Sequence, residues 1–176
     1  MRQLADARRI QGFMRALGAQ GTADTRVYFT GGATAVLLGW RATTIDVDLY
    51  FHPESDAVFR ALPALKEKLQ INLELASPAD FIPELPGWRK RSAFIAREGK
   101  VSYFHYDFYA QALAKIERGH AQDVGDVGEM LRRNLVDPAE LWRFFQRIER
   151  HLYRYPAIDP ASFRGAVRGV VGEQAE

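Results

Sequence analysis

No cysteine occurs in the chain. Disulfides, thiolate nucleophiles and cysteine-ligated zinc or iron–sulfur centres are therefore excluded, and a reducing, cytoplasmic setting is the expectation. Nor does any apolar run approach the ~18 residues that a membrane-spanning helix needs. The opening stretch MRQLADARRIQGF lacks the apolar segment of a secretory leader. Blocks of like charge are missing as well: 24 basic side chains stand against 22 acidic ones, net +2. So even a balance gives little support for binding nucleic acid through bulk charge. The four histidines are scattered, none at helical spacing with a carboxylate ligand set, so a zinc-hydrolase pattern is not present. No serine sits in a nucleophile elbow.

What is present describes an ordinary globular protein. Of the 176 residues, 47% are apolar and 12% aromatic, enough for one well-cored domain with at most a small appendage. Leu4, Ile10, Phe13, Met14 and Leu17 share one face of a predicted first helix. Arg26–Thr30 reads as a short strand, followed by Gly31-Gly32 and a buried helix over ATAVLL. From Thr44 to Phe51 the chain alternates, with Ile45, Val47, Leu49 and Phe51 on one face and Asp46, Asp48 and Tyr50 on the other. Ser55 opens a helix through Leu69 that Pro63 is expected to kink or break. A third strand, Ile71–Ala76, places Asn72 and Glu74 on one face. The proline-rich segment SPADFIPELPGW reads as a loop, and Glu98-Gly99 as a hairpin turn.

Beyond Tyr109 the period changes from 2 to 3.6. Ala112, Leu113 and Ile116 mark one helix, and Val124, Val127, Met130 and Leu131 a second. A third carries Leu141, Phe145, Ile148, Leu152 and Tyr155 inward, and Asp159-Pro160 starts a last one. The expectation is an α+β fold, with a mixed-sheet core over 1–108 and a helical part over 109–176.

Asp46 and Asp48 carry the clearest chemistry. On one strand face they lie about 7 Å apart at Cα, two like charges on a rigid element. Such a pair suits a hard divalent cation, since Mg²⁺ is typically held by one or two carboxylates plus substrate phosphates. Upstream, Gly31-Gly32 sits between a strand and a helix, where glycine backbone approaches a phosphate closely.

The run FTGGATAVLLGWRATTIDVDLYF resembles the signature of the nucleotidyltransferase superfamily related to DNA polymerase β: a glycine pair, a helix, then Asp-x-Asp on a strand. With Arg41 and Thr43 or Thr44 ahead of Asp46 and Asp48, it is similar to a bacterial subgroup. That subgroup includes the toxin halves of abortive-infection type IV toxin–antitoxin systems and related uncharacterised domains. The resemblance implies a polymerase-β-like mixed sheet with flanking helices and transfer of a nucleotide from an NTP with Mg²⁺ or Mn²⁺. It implies metal-holding and catalytic roles for Asp46, Asp48 and a third carboxylate. Glu74 is the candidate for that third position, with Asp107 and Asp80 behind it. Gly31, Gly32, Arg41 and Thr43 would bind the nucleotide.

A second constellation, Lys115, Arg118, Asp123 and Asp126, pairs two faces of consecutive helices. The resemblance implies a nucleotide-binding group in which Lys115 contacts nucleotide phosphates, Arg118 stands beside it, and Asp123 or Asp126 orients a substrate or the fold. It leaves the acceptor open among RNA or tRNA, protein and small molecule, and it makes an antitoxin a candidate partner. A non-catalytic module of the same fold, binding nucleotide, RNA or protein, is the alternative reading. Arg89, Lys90 and Arg91 form a small basic cluster with no role assigned by the resemblance.

Overall fold

The structure is a computed structural model and describes residues 3–172. It divides into two compact units. One holds the chain through Ser77 together with Ser92–Tyr106; the other holds Pro78–Arg91 and the chain from Asp107 onward. The proline-rich segment thus groups with the C-terminal helices.

The first unit is a five-stranded mixed sheet with three helices. Its strands are β1 (Thr25–Thr30), β2 (Asp46–His52), β3 (Asn72–Leu75), β4 (Ala93–Glu98) and β5 (Val101–His105), in spatial order β3-β2-β1-β5-β4. β1 runs antiparallel to β2 and parallel to β5; β2 runs parallel to β3, and β4 antiparallel to β5. Helices α1 (Ala7–Gly18), α2 (Gly32–Leu38) and α3 (Asp56–Leu69) belong to this unit. The buried core joins Ile10, Phe13 and Leu17 of α1 to Val27 and Phe29 of β1, Val47 and Leu49 of β2 and Tyr103 of β5. Tyr103 donates from its hydroxyl to the Met14 carbonyl at 2.7 Å, and burial raises its pKa.

Local rules account for most boundaries. Asp6 caps α1 by accepting from the Arg9 N–H, so Leu4 lies outside the helix and is 56% exposed. Ser55 caps α3 through the Val58 N–H. Contrary to expectation, α3 runs unbroken through Pro63, which lies on its exposed side. Ile45 also departs from its expected face. It precedes β2 and is 70% exposed, because Thr44 pairs with Ala5 in an isolated bridge before the strand begins.

The second unit contains α4 (Trp88–Arg91), α5 (Phe108–Arg118), α6 (Ala121–Arg132), α7 (Pro138–Glu149) and α8 (Pro160–Val171). The aromatic stripe of α7 is its core: Phe145 stacks on Trp142 at 5.4 Å between centroids and meets Phe163 edge-on at 5.0 Å. Arg91 ties the segment 78–91 into this unit. Its Nη2 donates to Asp107 at 2.7 Å, and its guanidinium lies 4.2 Å from the Phe144 ring centroid. The two units together are the α+β class with a mixed sheet and flanking helices that the resemblance implied.

Candidate active site

Strand alternation and register build the acidic face of the first unit. Val47 and Leu49 are buried in the core, so Asp46, Asp48 and Tyr50 point to the opposite side of β2. Parallel pairing sets Asp46 beside Asn72 and Asp48 beside Glu74, and paired residues of adjacent strands project to the same face. Asp46 and Asp48 are half-buried, whereas Glu74 is exposed. The Asn72 amide donates to Asp46 Oδ1 and, at 3.4 Å, to Glu74 Oε1. Asn72 therefore links the two carboxylates, a role the sequence reading missed although it placed Asn72 on this face.

The glycine pair lies against the same strand. β1 ends with Thr30 opposite Asp48, and Gly31 turns away with φ 63°. A Cβ added to Gly31 would stand 3.2 Å from Asp48 Oδ2. One added to Gly32 would fall 2.1 Å from Thr44 Oγ1 and 3.0 Å from an Arg41 Nη1. A side chain at Gly31 would thus crowd Asp48, and one at Gly32 would crowd Thr44 and Arg41. Of the two threonines, Thr44 makes this contact; it is buried, and its hydroxyl donates to the Asp46 carbonyl at 3.0 Å. Thr43 is half-buried beside it. Helix α2 has only seven residues, so its dipole is short, and positive charge at the turn comes from Arg41.

Beneath the turn, the Thr34 hydroxyl donates to the Phe29 carbonyl at 3.3 Å and lies 3.1 Å from His105 Nδ1. Burial pushes the His105 imidazole down to about 4, so the ring is neutral at pH 7. No sequence signal singled out this pair, because residues 34 and 105 meet only through the parallel pairing of β1 with β5.

The donor set fits a hard cation. Two half-buried aspartates on one face would supply two oxygen ligands, and such an ion would need phosphate oxygens or water for the rest of its shell. Among the described residues, no group of three or more His, Asp or Glu side chains is arranged to hold a metal ion. Glu74 shares the face of Asp48 but does not close a three-carboxylate cluster as it stands. Of the other two candidates for that position, Asp107 caps α5 and pairs with Arg91, and Asp80 is exposed in a 3-10 turn, both within the second unit.

Lys115, Arg118, Asp123 and Asp126 come together, in the second unit. Lys115 Nζ lies 2.8 Å from Asp126 and 3.6 Å from Asp123, and Arg118 grips Asp123 through two hydrogen bonds of 2.7 and 3.0 Å. Lys115, Asp123 and Asp126 are buried. Burial opposes ionisation of Asp123, but the hydrogen bonds and charge of Arg118 and the charge of Lys115 outweigh it and hold the carboxyl below its usual range. This network rotates the buried face of α6 from the expected one: Asp123 and Asp126 turn inward with Val127 and Met130, while Val124 is 61% exposed. The Lys115 ammonium is engaged by two carboxylates of α6.

The chain belongs to a nucleotidyltransferase family. The family described as nucleotidyltransferase of unknown function (DUF6036) matches residues 8–156. Comparison with curated proteins and with solved structures returned no match. No helix among the described residues is long and apolar enough to cross a membrane.

Proposed function

We propose that this nucleotidyltransferase-family chain transfers a nucleoside monophosphate from an NTP to a hydroxyl acceptor, with Asp46 and Asp48 holding Mg²⁺ or Mn²⁺. The observation that carries the reading is the meeting of a side-chain-free turn, Gly31-Gly32, with Arg41 on one side and Asp48 on the other. A triphosphate needs backbone donors, a fixed cation and a metal-holding carboxylate in one place.

In the transfer, the acceptor oxygen bonds to the α-phosphorus while the bond to the α–β bridging oxygen breaks. Pyrophosphate leaves, and the acceptor's proton passes to solvent. The bound cation would neutralise phosphate charge and lower the pKa of the acceptor hydroxyl. Arg41 balances charge gathering on the leaving pyrophosphate. Gly31 and Gly32 let the backbone approach the phosphates. Asn72 orients the Asp46 carboxylate by its amide hydrogen bond.

The test is incubation with each α-³²P-labelled NTP, Mg²⁺ or Mn²⁺, and RNA, protein or cell lysate, comparing wild type with Asp46→Asn/Asp48→Asn. Label on a macromolecule or small acceptor from wild type alone supports transfer and identifies the acceptor. The exposed position of Glu74 outside any three-carboxylate group favours a second reading, a nucleotide-binding module without turnover. Saturable NTP binding with no labelled product under any condition selects that reading. The toxin role implied by the resemblance predicts growth arrest on expression, lost with the same double substitution and relieved by an antitoxin partner.

A further inference from the structure

Arg143 and Arg147 lie one turn apart on α7, Arg150 is its C-cap and Arg154 closes the 3-10 turn Leu152–Arg154, and all four are exposed. Arg143 meets the Glu140 carboxylate. Among the described residues, Arg147, Arg150 and Arg154 stand in no ion pair. Arg147 lies 5.7 Å from the Phe144 ring centroid. Arg154 lies 5.5 Å from that of Tyr153 and donates from Nε to the Tyr153 hydroxyl at 3.2 Å. Tyr153 itself is 73% exposed. The α4 helix, whose Arg91 covers the same Phe144 ring, brings exposed Arg89 and Lys90 to this part of the unit.

Cations near a helix C-terminus are favoured by its dipole, which accounts for Arg147 and Arg150. It does not account for Arg154 and Tyr153, which lie beyond α7. Planar guanidinium groups in a row match phosphate oxygens, and an aromatic ring held in solvent gives a base a surface to stack on. Anionic lipid would call for aliphatic side chains between the cations. Within 143–154 the exposed residues other than the four arginines are Gln146 and Tyr153. We propose that the Arg143–Arg154 stripe, with Tyr153 at its end, binds single-stranded nucleic acid through the phosphate backbone and one stacked base. The surface does not rest on the transferase reading, because its binding needs neither NTP nor metal.

Fluorescence anisotropy with a labelled 12-mer, as single-stranded RNA, single-stranded DNA and duplex, over a salt series and without metal, reads the proposal directly. Four phosphate contacts predict a slope of log K on log [salt] of about −3 on a single strand. The triple variant R147Q/R150Q/R154Q should shrink that slope by about 2 and weaken binding at least about tenfold. Tyr153→Leu should weaken binding about tenfold with the slope unchanged. All these side chains are exposed, so each variant keeps the wild-type Tm. A preference between RNA and DNA identifies the strand and supports the proposal either way. Absence of saturable binding to either single strand at 50 mM salt overturns it. So does a triple variant with the wild-type slope, a Tyr153→Leu protein that binds as wild type, a stronger hold on duplex, or binding to phosphatidylserine vesicles alone.

Discussion

Gly31 backs directly onto Asp48: a Cβ on the glycine would lie 3.2 Å from Oδ2 of the aspartate. The contact follows from the antiparallel pairing of Thr30 with Asp48, which ends β1 level with the acidic face of β2. Turn and carboxylate are thereby set together before any ligand arrives, which cuts the ordering cost of binding one.

Replacing the pair, Asp46→Asn/Asp48→Asn, should abolish metal-dependent label transfer. Without metal, the Tm should hold or rise, since two neighbouring like charges are removed. Differential scanning fluorimetry beside the transfer assay checks both; a large drop in Tm would mean that the aspartates are structural.

Adding a methyl at Gly32 should distort the turn. In Gly32→Ala the new Cβ would meet Thr44 Cβ at 2.8 Å, so the neighbours must move. Overpacking of this kind costs about 1–3 kcal/mol, readable in urea unfolding. Nucleotide affinity should fall with it.

MgNTP should raise the Tm of the wild-type protein, because a ligand specific for the native state stabilises it by about 2.7 kcal/mol at a hundredfold excess over Kd. An unchanged Tm with all four NTPs at millimolar Mg²⁺ would count against both transfer and nucleotide binding.

Lys115→Ala should be strongly destabilising. It strips the cation from buried Asp126, and breaking a buried pair costs about 3–5 kcal/mol. Denaturant unfolding should show the loss without any nucleotide. Were the variant as stable as wild type but deficient in NTP binding, the network would be part of the site.

Mild acid should destabilise the fold through His105. Its folded-state value, about 4, lies below the ordinary 6.5, so the unfolded chain takes the proton first. The contribution is complete above about pH 6.5 and is lost as pH falls toward 4, about 3 kcal/mol in all. Asp107, raised by burial against the pull of Arg91, acts in the opposite sense as pH falls. Unfolding free energies from pH 7 to 4.5 for wild type and His105→Gln isolate the histidine; its share of the slope should vanish in the variant.

Much of the site was legible from local pattern. Alternation placed Asp46 and Asp48 on one face, and the glycine pair between strand and helix marked the turn. What stayed hidden depends on pairings across long stretches of chain. Asn72 reaches Asp46, 26 residues away, only because β3 adds parallel to β2 in this register. Thr44, not Thr43, meets Gly32 because the Ala5 bridge orients it.

The sequence by itself determined the alternation of β2, the helix start at Ser55, the glycine turn and the helical character of the C-terminal part. Each follows from backbone preference and side-chain period over a few residues. Only the tertiary structure decided the inward turn of Asp123 and Asp126, since their burial depends on Lys115 and Arg118 of a different helix. It also decided that 78–91 joins the C-terminal helices, through an Arg91 whose partners, Asp107 and Phe144, lie 16 and 53 positions away. An ion pair or a ring contact is favourable only once the chain between its partners is closed, and no local period records that closure.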